Sequence, residues 1–313
     1  MTQPTNTFDS YDAVGNREDL SDMIWDISPT ATPFMSSIAK NTATATYHEH
    51  QIDALAAAAA NAVIEGDDAT TDASVATTKV GNYTQISDKV ALVTGTQRAN
   101  DSAGRGDEMD YQVVKRSKEL KRDMEKALLD NNAQVAGNAT TARELAGVES
   151  WIATNTSAGA TGADPTGDGT DARTDGTQRA FLEADLKSVL QACAEEGGEP
   201  DTIMVGTFNK QALSGFTGNA TRTTDSSDQK LNTAVHVYVS DFGELKVVFN
   251  RFQRARSALV LDTSMWAMST LRNFSSWDLA KTGDTTRKQI LCEYTLESRN
   301  EAASGIVADL TTS

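Results

Sequence analysis

Two histidines spaced two apart on an extended segment can point at one metal ion, and His48-Glu49-His50 offers that spacing. No further Cys or His lies nearby, and the third histidine, His236, is remote, so no metal is assigned there. The run Asp164-Pro165-Thr166-Gly167-Asp168-Gly169-Thr170-Asp171 has the composition of a calcium loop. It lacks the alternating ligand spacing and the terminal bidentate Glu, and no calcium is assigned either. Covalent catalysis would need an activated nucleophile. No nucleophile-elbow motif occurs, and Cys193 and Cys292 both fall on apolar faces, where a thiol serves as a core residue. Gly-x-x-x-x-Gly-Lys-Ser/Thr is absent, which removes the phosphate-cradling loop. Arg105-Gly106-Asp107 spells an adhesion tripeptide but falls where a helix starts. The expectation is therefore a chain with no catalytic residues, no metal ligands and no cofactor.

The whole composition agrees with a non-catalytic role. The 313 residues suffice for one large domain or two smaller ones with a real core. Only 6% of residues are aromatic, so the interior is expected to be mostly aliphatic. The net charge of −16 repels polyphosphate, which argues against tight DNA or RNA binding. The first residues, Met1-Thr2-Gln3-Pro4, do not read as a secretory signal, and no run approaches the roughly 18 apolar residues of a membrane span. Two cysteines make no disulfide framework. A soluble protein made in a reducing cytoplasm is expected.

Which elements would carry these residues? Residues 1–46 are polar, with one apolar island at Met23-Ile24-Trp25-Asp26-Ile27 and two prolines, Pro29 and Pro33. They read as an arm that lies on something else. Alternation over 45–53 and again over Tyr83 to Thr94 predicts two strands of a long projecting hairpin, residues 47–100, with little core of its own. Residues 107–136 predict a long helix. Asp107 caps it, Met109, Val113, Leu120, Met124 and Leu128 form a narrow apolar stripe, and Gly137 closes it. At about 1.5 Å per residue it would be a rod roughly 45 Å long, packed on a sheet. Residues 153–179 read as a flexible polar loop. A second compact region, 180–262, begins with the amphipathic helix of Leu186, Val189, Leu190 and Cys193, ending at Gly197-Gly198. It continues with a strand at Thr202 to Val205, a short helix, and a hairpin in which Val235, Val237 and Val239 alternate before Leu245, Val247 and Phe249. Residues 263–313 return to strands, with Ile290, Cys292, Tyr294 and Leu296 on one face. The class is α+β.

Several stretches of this sequence resemble the major capsid proteins of tailed bacteriophages of the SU-ten type. They are Arg17-Glu18-Asp19-Leu20-Ser21-Asp22 through Ile27-Ser28-Pro29-Thr30-Ala31-Thr32-Pro33-Phe34, Glu65-Gly66-Asp67-Asp68 and Tyr83-Thr84-Gln85-Ile86. Ala103-Gly104-Arg105, Glu119-Leu120-Lys121-Arg122-Asp123, Leu279-Ala280-Lys281-Thr282-Gly283-Asp284 and Glu293-Tyr294-Thr295-Leu296-Glu297 complete the set, in order and across nearly the whole chain.

The resemblance implies the shell fold that tailed-phage capsids share with encapsulins and the herpesvirus capsid floor. On it, 1–46 is the N-terminal arm and 47–100 the extended hairpin loop. Residues 101–152 are the peripheral domain, with the spine helix at 107–136. After the polar loop 153–179 comes the axial domain, 180–262, and 263–313 returns to the peripheral sheet. The function implied is self-assembly as homopentamers and homohexamers into an icosahedral capsid enclosing double-stranded DNA without specific binding. Scaffolding, portal and decoration proteins are the implied partners, no membrane is involved, and the protein belongs to the virion after assembly in the bacterial cytoplasm. Lys79 and Lys89 stand where some related shells carry a cross-linking lysine, but nothing specific in the sequence supports the bond. The basic cluster Arg251, Arg254 and Arg256 reads first as inter-subunit salt bridges and second as a contact to packaged DNA. An encapsulin-like compartment, which shares the fold, is the alternative. A soluble α+β hydrolase is the alternative of another class, and it would need an acid, base and nucleophile cluster that the sequence does not offer.

Overall fold

A computed structural model describes residues 28–68, 73–100, 106–216 and 235–312. The expected arm residues 1–27 and the stretch Ala103-Gly104-Arg105 lie outside the described residues. Two sheets share the core. The first has the order β1-β10-β11-β4, from β1 (Ala39–Thr42), β10 (Trp266–Asp278), β11 (Thr285–Ser298) and β4 (Gln85–Thr94). The long strands β10 and β11 are antiparallel, β4 adds antiparallel to β11, and β1 adds parallel to β10. Ile290, Cys292, Tyr294 and Leu296 lie on one face of β11 and are all buried in the main core. After the short helices α1 (Pro33–Ser37) and α2 (Gly95–Ala99), α3 (Glu108–Leu129) runs across that face, burying Leu120, Met124 and Leu128 there and Met109 against Ala91 and Val93 of β4.

Asp107 caps α3 as its sequence implied, its carboxylate accepting from Met109 N at 2.9 Å. The far end corrects the expectation, because the helix stops at Leu129 and not at residue 136. Asp130 is extended, and the Asp130-Asn131-Asn132 side chains and carbonyls find partners outside a helix. Asn131 Nδ2 donates to Arg173 O at 2.7 Å, and the Asn132 carbonyl accepts from Ser150 Oγ at 2.6 Å. Short polar side chains competing for backbone groups in this way end helices. Gly137, expected as the helix terminator, instead takes a positive φ of 71° in a turn beyond it.

The second sheet has the order β5-β12-β9-β6-β8-β7. Its strands are β5 (Asn155–Ser157), β12 (Gly305–Val307), β9 (Ala258–Leu261), β6 (Thr202–Val205), β8 (Gly243–Phe249) and β7 (Val237–Ser240). The short helix α4 (Val148–Trp151) precedes this sheet, and on one face lies α5 (Glu183–Glu195), burying Leu186, Val189, Leu190 and Cys193 against Ile203, Val205 and Val260. On the other, Met204, Leu259, Leu261 and Ile306 join the core beneath the first sheet. A continuous apolar core thus ties the two sheets together.

Several sequence boundaries are crossed. The arm was drawn to residue 46, yet Ala39–Thr42 is already a strand of the first sheet. Of 263–313, expected to return to the peripheral sheet, β10 and β11 join the first sheet, but β12 joins the second, between β5 and β9. Residues 153–179, read as a flexible loop, carry β5 and are pinned by Arg173, which is buried, pairs with Asp164 and donates to Ile152 O at 2.7 Å. The hairpin of 237–249 forms with Leu245 and Val247 buried as expected, but Val237 and Val239 of its first strand do not face inward. Tyr238 is buried between Val237 and Val239, which are 50% and 62% exposed. A β-strand alternates faces, and on this edge strand the aromatic ring won the core side.

Candidate assembly surface

The projecting hairpin is built from β2 (Tyr47–Ile52) and β3 (Thr78–Tyr83), paired antiparallel in register Tyr47 to Tyr83 and Ile52 to Thr78. This corrects the sequence reading, which gave 83–94 as the second hairpin strand. The extended run 78–94 divides at Thr84, a buried residue whose Oγ1 donates to Glu293 at 2.9 Å. Before it the chain pairs with β2; after it the chain joins the first sheet as β4. Gly81 is required where the strands meet the ring of Tyr47, since a Cβ there would fall 2.8 Å from the His48 carbonyl oxygen.

The hairpin base is held by polar contacts to the end of β11. His48 Nε2 meets Glu297 Oε2 at 3.2 Å, and His50 Nε2 meets the Ser298 carbonyl at 2.6 Å. Burial alone would raise Glu297, but hydrogen bonds from Ser269, Asn41, His48 and Arg299 outweigh it and hold its carboxyl at about 2. The spacing that suggested a metal pair therefore serves to dock the hairpin, and among the described residues no His, Cys, Asp and Glu cluster could hold an ion. His236 immediately precedes β7 of the second sheet, its carbonyl accepting from Val247 N. The Asp-rich loop is also occupied internally: Asp168 takes Thr166 and Thr170 hydroxyls, and Asp171 takes the Thr166 backbone N–H.

Beyond the base the chain runs out from the body. Every described residue from 53 to 79 is exposed, including Leu55 at 98%, Val75 at 85%, Val63 at 81% and Ile64 at 79%. A second apolar surface lies on the first sheet, on the face opposite α3. Ile86, Val90 and Leu92 alternate with the buried Ala91 and Val93 and are 41–55% exposed. The pairing of Val90 with Gln289 and of Gln289 with Trp277 carries this face across three strands. A third is the edge of the second sheet, where Val237, Val239 and Phe242 stand exposed. Exposed apolar surface on this scale marks contact with other macromolecules.

The charged candidates sort differently from the sequence expectation. Arg254 is not offered to a neighbour: Nη1 donates to the fully buried Glu149 at 2.6 Å, and Nη2 binds Asp175 at 2.8 and 2.9 Å. Arg256 pairs with Asp309 at 3.1 Å and Asp175 at 3.3 Å. Only Arg251 is left at the surface, over the ring of Phe249. Burial raises Glu149 above the ordinary carboxylate range despite Arg254 beside it. Lys79 and Lys89 are engaged by Glu49 at 2.7 Å and Asp123 at 2.6 Å.

One buried carboxylate was missed by sequence reading. Glu125 of α3 accepts from Phe34 N at 2.7 Å and Met35 N at 2.9 Å, at the start of α1 (Pro33–Ser37), and from Asn250 Nδ2 at 2.7 Å. It joins the arm, the long helix and the end of β8 at one point. Burial raises it, and the three donors only partly offset that. Its sole sequence signal was an acidic residue next to Met124 of the apolar stripe.

What these surfaces define is a structural subunit, a folded body whose projecting hairpin and outer sheet face are left for other molecules to cover. Known proteins give the class its name. The family model for the SU10 major capsid protein matches residues 3–311. The major capsid protein of Escherichia phage Phieco32 is 30% identical, over 98% of this chain and 97% of that one. The chain belongs to the SU10 major capsid protein family. Solved structures share the fold at lower identity. The cyanophage A-1(L) capsid asymmetric unit gives a TM-score of 0.69 at 12% identity, covering 95% of this chain and 98% of that one. A Gordonia phage Cozz chain gives 0.65 at 9%, covering 99% and 98%. The fold is the α+β fold of tailed-phage major capsid proteins, and the protein is a structural subunit of a phage capsid, located in the virion, and not an enzyme.

Proposed function

We propose that many copies of this chain associate as pentamers and hexamers and close an icosahedral shell around double-stranded DNA. The observation that carries the reading is the projecting segment 53–79, exposed at every described position yet bearing Leu55, Val63, Ile64 and Val75. A two-stranded hairpin is marginal alone, so such residues are stabilised when a neighbouring subunit buries them. The hairpin and the N-terminal arm lace adjacent subunits. The region 180–262, with its exposed edge at Val237, Val239 and Phe242, serves as the axial domain around the capsomer axes. The region around α3 and the first sheet serves as the peripheral domain. The net charge of −16 suits a wall against which DNA packs without specific binding. Assembly takes place in the host cytoplasm, with scaffolding, portal and decoration proteins as partners.

Electron microscopy of the purified chain tests this. Uniform icosahedral particles are expected from the intact chain, and only unassembled subunits or isolated capsomers after replacement of 54–77 by a short polar turn. A chain that stays monomeric when supplied with its scaffold, or a shortened variant that closes normal shells, would refute the reading.

A further inference from the structure

On the α3 side of the first sheet, α3 packs over β4 and β11, and beside it the β10 and β1 half forms a groove of about 540 Å³. Its apolar lining comes from Met35, Met124, Met268 and Phe274, the last 40% exposed. Lys121 of α3 stands on one bank and Lys40 of β1 on the other, both exposed and neither in an ion pair among the described residues. The groove therefore fits an amphipathic segment whose apolar side enters between two cations and whose polar side is acidic.

The chain carries such a segment just ahead of α1. Leu20, Met23, Ile24 and Ile27 recur at i, i+3, i+4 and i+7, one face of a helical repeat. Glu18, Asp22 and Asp26 fall on the opposite side together with Trp25, and Asp19 lies on the flank. Ser28-Pro29 follows, and a residue before proline is turned away from helical backbone, which bounds the repeat at Ile27. We propose that this groove receives the chain's own residues 20–27, apolar face down, with the acidic flank set between Lys40 and Lys121.

Tethering selects the chain's own segment over that of a second copy. Met35 is in the lining, and α1 begins at Pro33, six residues after Ile27, so the connection spans at most about 20 Å when extended. A tether that short gives an effective concentration on the order of millimolar, well above that of any other copy in dilute solution. The arm then has its apolar island anchored on its own body, and only the residues before it are free to reach a neighbour. This does not depend on shell formation, and it is tested on the dilute unassembled chain.

The experiment is disulfide trapping in the full-length protein. Ile24→Cys is combined with Phe274→Cys, and separately with Thr42→Cys, an exposed groove position that leaves the apolar lining intact. The control partner is Val237→Cys, equally exposed but on the second sheet; native Cys193 and Cys292 are buried. Mild oxidation is followed by non-reducing gels and peptide mass spectrometry. The expected result is an intramolecular bond formed at least tenfold faster in both groove pairs than in the control. Lys40→Glu with Lys121→Glu should slow it about threefold at low salt, as exposed ion pairs would. Groove and control pairs oxidising at the same rate would overturn the proposal. So would disulfide-linked dimers as the main product, because they would assign the groove to another copy's segment.

Discussion

Replacing Arg254 by Met should destabilise the subunit itself, whereas reversing Arg251 should not. Glu149 is fully buried and holds two partners, Arg254 Nη1 at 2.6 Å on Oε2 and the Ser257 hydroxyl on Oε1. Removing the guanidinium leaves a buried carboxylate with one neutral donor and its Arg173 neighbour further off. Breaking one side of a buried pair costs about 3–5 kcal/mol, a large part of the roughly 5–15 kcal/mol that holds a domain folded. Arg251 lies over an exposed ring, and its reversal should cost less than about 0.5 kcal/mol. Urea unfolding of the unassembled subunit, followed by tryptophan fluorescence, measures this directly, since Trp151 is buried two residues from Glu149. The pH dependence supplies a second signature. Burial has already raised Glu149, and loss of Arg254 raises it further. A carboxylate with a raised folded value contributes stability that is present below its unfolded value and lost as pH rises through the folded one. The deficit of Arg254→Met should therefore shrink as pH falls toward the ordinary carboxylate range, and Glu149→Gln in the same chain should restore most of it at neutral pH. A loss below 1 kcal/mol, or an equal loss in Arg251→Glu, would refute the reasoning and return Arg254 to the list of groups free to meet a neighbour.

Glu125→Gln exchanges a carboxylate that serves three donors for an amide that must turn its own N–H groups toward one of them. It should cost about 1–3 kcal/mol. Because Glu125 is also raised, its contribution to native stability is lost as pH rises through the folded value; the gap to the Gln variant should narrow from acid to neutral pH in calorimetric melts. Gly147→Ala places a Cβ 1.9 Å from the Asp130 carbonyl oxygen, where the chain leaves α3, and should lower stability by about 3 kcal/mol in the same urea assay. Cys193 and Cys292 are pushed up to about 12 and about 11 by burial, so native protein at pH 8 should take up no iodoacetamide and urea-unfolded protein two equivalents. Modification of the native protein would show that one of the two faces solvent.

The elements with dense local signals were readable in the sequence. The stripe from Met109 to Leu128 forms the face of α3, and the clean alternation of Ile290 to Leu296 is the buried face of β11. Pairing partners were not readable. The run 78–94 is continuously strand-like, and only contacts to β2 on one side of Thr84 and to β11 on the other divide it between two sheets. Likewise β1 finds β10 across most of the chain, and β12 returns to a sheet whose other strands precede it. Local composition records that a segment is extended; it does not record which edge accepts it. The charge networks were hidden for the same reason. Arg254 was read as a surface cation because Glu149 and Asp175, the groups that neutralise it, are distant in sequence.

The assembly surface presents the opposite case, since the decisive pattern was in the sequence but admits two readings. On β4 both alternations carry apolar side chains, Ala91 and Val93 on one side and, around Asp88, Ile86, Val90 and Leu92 on the other. A strand that is apolar on both faces is one that is covered on both faces. A single chain supplies α3 for the inner side, while the described residues leave the outer side 41–55% exposed at those three positions. The same shortfall appears at segment 53–79, where apolar side chains are displayed on backbone without a core. Two such surfaces on one subunit mean that the lone chain is not the unit in which this sequence satisfies its own hydrophobic pattern. That deficit is the physical content of being a shell protein.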